Sequence, residues 1–158
     1  MNWYRGPTLL EGLDTIKNKE SLKGKPLIFP VQDIYRIDDK RIIVGKVEAG
    51  VIRKGNIVEI LSSNQQTRVT SIKKYPKEIE RACTGESIGV TLEDDVFIDR
   101  GDVICQPQKE PILTDSIKAN IFWMSKKDFK KDERLLIRCS TQETTCKIEA
   151  IRKRIDSS

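Results

Sequence analysis

The sequence contains no histidine, so the side chain that most often acts as a general base in enzymes is absent. The same absence excludes the Ser-His and Cys-His pairs that activate a catalytic nucleophile. The four cysteines include no Cys-x-x-Cys pair, and a zinc site would need all of them to converge from distant parts of the chain. A simpler interpretation is that the cysteines are small buried side chains of a protein in a reducing compartment. They are Cys83, Cys105, Cys139 and Cys146.

The sequence also lacks a long apolar run. No stretch is apolar over the roughly 20 residues that a membrane-spanning helix needs, and residues 1–7 lack the apolar region of a secretory signal. We therefore expect a cytoplasmic protein without a membrane partner. Basic side chains outnumber acidic ones by 29 to 24. A net charge of +5 spread over mixed signs is typical of a solvated surface rather than of a nucleic-acid-binding face.

A capping box marks the start of a short helix near residue 8. The hydroxyl of Thr8 can accept a hydrogen bond from the backbone N–H of Glu11, and the carboxylate of Glu11 can accept one from the backbone N–H of Thr8. Apolar residues then recur at helical spacing and predict a packing helix from about Thr8 to Lys17, without chemistry of its own. The residues on its apolar face are Leu9, Leu10, Leu13 and Ile16.

The stretch from Ile42 to Ile60 is the one around which the rest of the chain is organised. Side chains alternate up to Ala49, which predicts a half-buried strand, and Gly50 follows where the chain must leave it. The pair Gly55-Asn56 is a turn signal ahead of a second strand. We expect these two strands to form a small antiparallel unit.

Short apolar stretches punctuated by glycine recur at intervals of about ten residues, and they predict an all-β fold built on a closed, six-stranded barrel from 27 to 107. Gly45 and Gly89 lie inside strands, where a glycine lets a strand bend or another backbone approach closely. The candidate strands are Leu27–Tyr35, Arg41–Ala49, Ile57–Leu61, Gln66–Tyr75, Ser87–Leu92 and Val103–Cys105. The predicted core consists of Val31, Ile43, Val47, Val58, Ile60, Val69, Ile88, Val90 and Val103.

Two linkers divide the chain. Residues 18–26 are polar and contain Gly24 and Pro26, and residues 106–114 contain Pro107 and Pro111. The predicted domains are a helix with its linker at 1–26, the barrel at 27–107 and a partial second β domain at 108–158.

The segment after the second linker predicts three strands. One alternation runs from 117 to 124, a second strand spans Leu135–Cys139, and a third runs from Cys146 to Ala150, with a β-bulge at Ala150–Ile151. Three strands are about the minimum for an independent sheet, and the segment would expose an unpaired edge. We therefore expect it to dock on the barrel or to pair with a second copy.

A basic run, Lys73-Lys74-Tyr75-Pro76-Lys77, predicts a charged hairpin tip. Such a tip could contact phosphate groups. A solvated loop is the more common structure for a short run of like charges, and it is the interpretation we favour.

Three motifs follow one another along the barrel segment: residues 44–56 (VGKVEAGVIRKGN), 85–90 (GESIGV) and 99–104 (DRGDVI). Together they resemble the second domain of the translational GTPase superfamily, a six-stranded Greek-key barrel familiar from elongation factor Tu and elongation factor 1-alpha. The flanks resemble the large, GTP-hydrolysing subunit of sulfate adenylyltransferase. The stretches that carry this second resemblance are Trp3–Glu11, Phe29–Asp33, Ile121–Met124 and Arg154–Asp156.

The nucleotide-binding motifs of that superfamily are absent from the sequence. It has no Gly-x-x-x-x-Gly-Lys-Ser/Thr phosphate loop and no Asp-x-x-Gly switch, and Asn18-Lys19 is followed by Ser21 where the base-reading motif needs Asp. The resemblance therefore implies an excised piece: the tail helix of a GTPase domain, the whole second domain and part of the third. GTP and magnesium would belong to the missing GTPase domain, and no catalytic, cofactor-binding or metal-ligating residue is predicted here.

In the family that it resembles, a GTPase subunit pairs with a smaller catalytic subunit. GTP hydrolysis there is coupled to the formation of adenosine 5′-phosphosulfate from ATP and sulfate, which is the first step of sulfate assimilation. The resemblance implies that this chain is a non-catalytic barrel module. Its partners would be its own GTPase domain and the catalytic small subunit, with self-association through the third segment.

The alternative is an aminoacyl-tRNA-binding barrel of an elongation-factor-like translation protein. The net positive charge favours this alternative slightly. The loop before Gly85 argues against it, because Arg81 stands where the elongation factors are expected to carry an acidic residue near the pocket for the terminal adenosine.

Overall fold

The computed structural model describes residues 6–15, 22–38, 40–131 and 133–153. The flanking residues from Trp3 to Arg5 and from Arg154 to Asp156, which contribute to the second resemblance, lie outside these ranges. The single α-helix of the described residues is α1, Leu9–Asp14. The strands are β1 (Ile28–Ile37), β2 (Lys40–Lys46), β3 (Val51–Arg53), β4 (Ile57–Ile60), β5 (Gln65–Lys74), β6 (Lys77–Ile79), β7 (Arg81–Cys83), β8 (Ser87–Leu92), β9 (Val103–Cys105), β10 (Leu135–Cys139) and β11 (Gln142–Cys146).

Six strands form a closed antiparallel ring. The order across the sheet is β4-β9-β1-β2-β8-β5-β6, and an additional pairing of β4 with β5 closes it. The six strands of the ring are the six predicted from the alternation of the sequence, so the expected all-β, six-stranded barrel is confirmed. β6 extends the sheet beyond the ring at β5.

The predicted pairing of the two central strands is wrong. β2 pairs with β1 and β8, whereas β4 pairs with β5 and β9. The cause lies between them, because Gly50 has a φ of +76° and turns the chain away from β2. The residues that follow form β3, which pairs with β7 in a separate two-stranded sheet. β2 ends at Lys46 rather than at the predicted Ala49. The Val47 N–H still bonds to the Glu86 carbonyl, in register with the β2–β8 ladder, whereas the Glu48 N–H bonds to the Ile28 carbonyl of β1.

The core fills the interior of the ring. Every predicted core residue is buried except Val103, which is half-buried. Ile104 points into the core, so its neighbour Val103 lies on the outer face of the strand. The largest fully buried side chains are Phe29, Ile52, Ile60, Ile72 and Ile104.

The two glycines inside strands sit at close approaches, as predicted. A Cβ atom on Gly45 would lie 2.3 Å from the carbonyl oxygen of Pro30 and 2.9 Å from Cζ of Phe29. A Cβ atom on Gly89 would lie 2.7 Å from Cγ2 of Ile42. All three distances are shorter than a carbon atom tolerates, so a side chain at either position would force its neighbours to move.

The capping box at the start of α1 is confirmed. The Glu11 N–H donates to the Thr8 hydroxyl at 3.3 Å, and the Thr8 N–H donates to the Glu11 carboxylate at 2.7 Å, a bond that holds the pKa of Glu11 below its usual value. The helix ends at Asp14 rather than Lys17, and residues 16 and 17 lie outside the described ranges. Its apolar face is exposed to solvent, with Leu9 82% exposed. No helix of the described ranges has the length and apolar character needed to cross a membrane.

The third segment forms one hairpin, β10–β11, rather than three strands. Residues 117–124 form no strand, although their alternation predicts one, because no strand of the described ranges supplies backbone partners to them. β11 covers Gln142–Cys146, whereas the predicted strand runs from Cys146 to Ala150, so the two share only Cys146. The predicted bulge at Ala150–Ile151 is also wrong, since that stretch is irregular.

Candidate functional site

The loop between β8 and β9, residues 93–102, combines a buried anchor with an exposed aromatic ring. Val96 and Ile98 are buried in the core, whereas Phe97 between them is 79% exposed. Because side chains alternate along this extended stretch, burying the two aliphatic residues directs the ring outward. The 93–102 loop therefore presents an aromatic side chain to solvent at one end of the barrel.

Arg41 of β2 holds this loop in place. Its guanidinium donates to the Asp95 carboxylate at 2.5 Å, to the Val96 carbonyl at 2.9 Å and to the Ile98 carbonyl at 3.4 Å. The side chain is 30% exposed, while that of Asp95 is 79% exposed. The two bonds to part-buried carbonyls therefore contribute more to the loop than the solvent-screened ion pair.

Three further contacts fix the remainder of the loop. The Thr67 hydroxyl donates to the Asp94 carboxylate at 2.8 Å and accepts from the Asp94 N–H at 3.2 Å. The Asp99 N–H donates to the Asp102 carboxylate at 2.8 Å and closes a tight turn. At the end of that turn the N–H of Gly101 donates to the carbonyl of Val31 at 3.0 Å. The loop is thus bonded to β1, β2 and β5, which pre-organises Phe97.

A cleft of about 280 Å³ lies beneath the loop. Its lining contains three cations, Arg36, Lys40 and Arg41, and three acidic residues, Glu93, Asp94 and Asp95. These charges balance, so the cleft offers no excess of positive charge to a triphosphate, and the described residues contain no glycine-rich loop of backbone N–H groups to hold one. The lining of the cleft therefore does not fit GTP.

Glu86 joins three elements at the opening of the second motif. Its carboxylate accepts from Lys74 Nζ of β5 at 2.7 Å and from the Cys83 N–H of β7 at 2.7 Å. Its backbone carbonyl accepts from the Val47 N–H at 2.9 Å. The hydrogen bonds from Lys74 and then Cys83, with a weaker field from Lys23, hold the pKa of Glu86 below its usual value.

Replacing Glu86 with glutamine should lower the melting temperature most at neutral pH. A depressed carboxyl pKa stabilises the fold fully above the ordinary value of 4.5, and this stabilisation is lost as the pH falls below 4.5 and through the lower pKa of the folded state. The difference between wild type and Glu86→Gln should therefore shrink over that range. We expect a loss of about 1 kcal/mol at pH 7. Thermal denaturation of both proteins from pH 7 to 3 measures this difference in stability. Glu80→Gln is the control, because the Glu80 side chain is 83% exposed. A loss of stability in Glu86→Gln that is the same at every pH would contradict the conclusion that the charged form of Glu86 stabilises the fold.

The predicted basic tip is the solvent-exposed connection between β5 and β6. Tyr75 is 98% exposed, and the peptide bond from Tyr75 to Pro76 is cis. Lys74 is paired with Glu86, so part of the positive charge of the tip is already neutralised. Exposure fits the favoured interpretation of a solvated loop, and a phosphate contact here stays a prediction.

Arg81, which argues against the aminoacyl-tRNA alternative, lies on β7 opposite Arg53 of β3. Both residues are exposed. The neighbouring carboxylates of Glu78 and Glu80 pair with Lys54 at 3.2 and 3.9 Å. The sheet of β3 and β7 therefore presents two adjacent cationic side chains to solvent.

The cysteines do not form a reactive or metal-binding cluster in the described residues. No group of three or more His, Cys, Asp or Glu there could hold a metal ion, and no disulfide is formed. The expectation that all four cysteines are buried is wrong, because Cys83 and Cys146 are half-buried and Cys139 is exposed. Cys105 is buried and donates to the carbonyl of Glu59 at 3.5 Å. Burial, and then the nearby carboxylates of Glu59 and Glu110, raise the pKa of its thiol to about 11. A thiol with that pKa is a poor nucleophile at neutral pH.

Among the described residues, two groups of exposed apolar side chains lie close together in sequence, in addition to Phe97. One is the face of α1, and the other is the irregular stretch from 112 to 124. Contiguous exposed apolar residues mark sites of contact with other protein surfaces. On the second surface the exposed residues are Ile112, Leu113, Ile117, Ile121, Phe122, Trp123 and Met124.

The barrel matches a known domain family. Residues 40–105 match the family described as Elongation factor Tu domain 2. Among solved structures, Sup35 complexed with GMPPNP superposes with a TM-score of 0.54 and 32% sequence identity, over 71% of this chain and 27% of that chain. The barrel is therefore similar in sequence to Elongation factor Tu domain 2, and the chain is similar in fold to a part of Sup35.

Relatives among characterised proteins match the whole chain, flanks included. Sulfate adenylyltransferase subunit 1 of Tolumonas auensis is 33% identical over 155 residues, which are 98% of this chain and 33% of that protein. The same subunit of Photorhabdus laumondii is 32% identical over 157 residues. The bifunctional enzyme NodQ of a Rhizobium species is 31% identical over 157 residues, 99% of this chain and 24% of that protein. The chain thus spans about a third or less of these relatives' length.

Proposed function

Because residues 40–105 of the chain belong to the Elongation factor Tu domain 2 family, we propose that it is a non-catalytic barrel module of the GTP-dependent subunit of sulfate adenylyltransferase. The observation that carries the proposal is the similarity to subunit 1 of that enzyme over 98% of the chain. It extends beyond the barrel into both flanking segments. A match confined to the barrel would have supported only the superfamily.

The proposed organisation assigns a role to each part of the chain. Residues 1–26 are the tail helix of a GTPase domain with its linker, 27–107 are the second domain, and 108–158 are part of a third. The exposed apolar face of α1, with Leu9 and Leu10 82% and 73% exposed, supports the first assignment, because a packing helix buries such a face against a neighbour. The hairpin β10–β11 supports the third, since two strands alone are not a stable sheet.

In this role the barrel binds and positions rather than catalyses. GTP and magnesium would be held by the GTPase domain, and ATP and sulfate would react on the catalytic small subunit, in the cytoplasm. The barrel would contribute rigid surfaces between the two. The ring has no free edge among its six strands, and Arg41 fixes its longest loop, so both features support a scaffold that transmits a domain movement without deforming.

The aminoacyl-tRNA alternative is less well supported. The relatives that match nearly the whole chain are sulfate adenylyltransferase subunits and NodQ. Arg81, which lies opposite Arg53, also stands where the elongation factors are expected to carry an acidic residue.

Reconstitution tests the proposed function. The longer protein that contains this chain is purified with the catalytic small subunit, and formation of adenosine 5′-phosphosulfate from ATP and sulfate is measured with and without GTP. We expect the two proteins to co-purify and GTP to increase product formation. Filter binding of aminoacyl-tRNA at two salt concentrations is run alongside. Tight, salt-sensitive tRNA binding together with no effect of GTP on sulfate activation would replace the proposal with the alternative.

A further inference from the structure

Three cross-strand positions among the described strands place two cations directly opposite each other. They are Arg36 with Arg41, Lys74 with Lys77, and Arg53 with Arg81. Like charges at such positions repel, because the two Cβ atoms are only about 5 Å apart. Each pair therefore lowers the stability of its sheet unless a carboxylate lies beside it.

The fold supplies a carboxylate to two of the three pairs. Arg41 forms an ion pair with Asp95, and Lys74 forms one with Glu86. These carboxylates come from the residues on either side of β8, since Glu86 precedes that strand and Asp95 follows it. The pair on β3 and β7 differs, because within the described ranges no carboxylate forms an ion pair with either of its arginines.

The backbone brings the side chains of Arg53 and Arg81 as close as an antiparallel ladder allows. The Lys54 N–H donates to the Glu80 carbonyl at 3.0 Å, so these two residues form a hydrogen-bonded pair. Hydrogen-bonded and non-hydrogen-bonded pairs alternate along the ladder, and the latter have the shorter distance between side chains. Arg53 and Arg81 are the next pair and belong to the closer type. The Arg53 N–H accordingly points away from β7 and donates to Oδ1 of Asn56 at 2.9 Å.

The face of the sheet around the two arginines is rigid and partly apolar. Ile52 and Ala82, the central residues of β3 and β7, are fully buried in the core beneath it. Val51 and Cys83 lie on the outer face with the arginines and are half-buried. A side chain with an apolar stem and an anionic end would therefore find both kinds of contact here.

The surrounding charges favour an acidic side chain over a nucleic acid as the missing anion. Glu78 and Glu80 lie beside Arg81 in sequence, and their side chains are 47% and 83% exposed. A nucleic acid carries a phosphate at every nucleotide, so a strand that crossed this sheet would also meet these carboxylates. A single Asp or Glu side chain brings one compact charge. It is also the group that the fold itself places beside the other two pairs.

We propose that Arg53 and Arg81 form a docking site for an acidic segment of a partner protein, whose Asp or Glu side chains supply the counter-charge that the described residues do not. Each planar guanidinium can hold a carboxylate through two hydrogen bonds. A local arrangement that lowers stability without compensation is characteristic of a functional site. The inference goes beyond the proposed function, and its test requires neither GTP nor the catalytic small subunit, so the two can fail separately.

Titration of the 158-residue chain with a hexaglutamate peptide, followed by NMR of the arginine Nε–H groups, tests the docking site. We expect the resonances of Arg53 and Arg81 to shift together, and the dissociation constant to rise about tenfold in Arg81→Gln, because charge-assisted hydrogen bonds are lost. Added salt should weaken the binding. Arg36→Gln is the matched control, since it removes an arginine from a pair to which the fold already supplies a carboxylate, and it should bind the peptide like the wild type.

Thermal denaturation without the peptide measures the repulsion itself. At low salt we expect Arg81→Gln to melt about 1–3 °C above the wild type, because the like-charge pair is removed. The difference should disappear at high salt, where exposed charges are screened. Arg36→Gln should show no such increase. A melting temperature of Arg81→Gln at or below that of the wild type at low salt would mean that the pair is not a site of uncompensated charge.

Three results of the titration would overturn the proposal. In the first, the peptide leaves the resonances of both arginines unchanged. In the second, Arg81→Gln binds the peptide as tightly as the wild type does. In the third, inorganic phosphate or a hexauridylate binds the pair more tightly than the peptide, which would assign the site to a phosphate-bearing partner.

Discussion

Replacing Gly45 with alanine should prevent the barrel from closing. A Cβ atom there would lie 2.3 Å from the carbonyl oxygen of Pro30, and this contact is with the backbone of the neighbouring strand β1. Rotating a side chain cannot relieve it, and the ring of Phe29 at 2.9 Å fills the remaining space. Because β1 and β2 are bonded to each other, the strands would have to separate. We expect a loss of about 3 kcal/mol or more in the free energy of unfolding.

Urea denaturation followed by circular dichroism measures this loss. Gly12→Ala is the control, since a Cβ atom on Gly12 meets nothing within 4 Å and the residue lies in α1. Alanine is the better helix former, so the control should be neutral or stabilising by up to about 1 kcal/mol. If Gly45→Ala unfolds at the same urea concentration as the wild type, the strands do not approach as closely as described.

Replacing Arg41 with alanine should release the 93–102 loop while the ring stays intact. The guanidinium is the donor to the carbonyls of Val96 and Ile98, and both carbonyls would lose it. We expect a loss of about 2–3 kcal/mol, because a part-buried carbonyl without a partner costs more than the exposed ion pair contributes. The amides of the loop should also exchange faster.

Asp95→Asn provides the comparison for Arg41. It removes the charge that Arg41 contacts and leaves both carbonyl bonds in place, at a side chain that is 79% exposed. Its cost should stay below about 1 kcal/mol. Equal losses in the two variants, measured by denaturation, would mean that the ion pair holds the loop and the carbonyl bonds do not.

The ring was predictable because its strands carry period-two patterns, and because Gly55, Gly85 and Gly101 lie in the turns before β4, β8 and β9. Val58 and Ile60, for example, are fully buried in the core, and Glu59 between them lies on the other face of β4, where it is 7% exposed and accepts a hydrogen bond from Gln66. Pairing was harder to predict. The expected partnership of β2 with β4 failed because Gly50 redirects the chain, and the sequence does not show which short strand receives Val51–Arg53.

The third segment shows the limit of periodicity. Residues 117–124 alternate as clearly as the ring strands, but a strand also needs a neighbour for its N–H and C=O groups. The hairpin β10–β11 forms because Leu135–Cys139 and Gln142–Cys146 are close in sequence and satisfy each other. A pattern within one strand cannot report whether a partner strand is present.

The surface features of the barrel were only partly visible in the sequence. The sequence motif at Asp99–Asp102 indicates the turn of the 93–102 loop, but no motif indicates the roles of Phe97 and Arg41. The exposure of Phe97 could have been predicted, because the apolar residues Val96 and Ile98 flank it and side chains alternate between the two faces of an extended segment. The role of Arg41 depends on contacts with residues more than fifty positions away, and no local pattern reveals such contacts.

The size of the natural polypeptide that contains this chain tests the central claim most directly. An antibody raised against the barrel is used to immunoblot source cells, and the band is mapped by tryptic peptides. Because the chain covers 33% of the matched subunits, we predict a polypeptide roughly three times its length, with a phosphate-loop peptide before residue 1. A natural product of 18.1 kDa, the mass of this chain alone, would contradict its assignment as a module of a GTPase subunit.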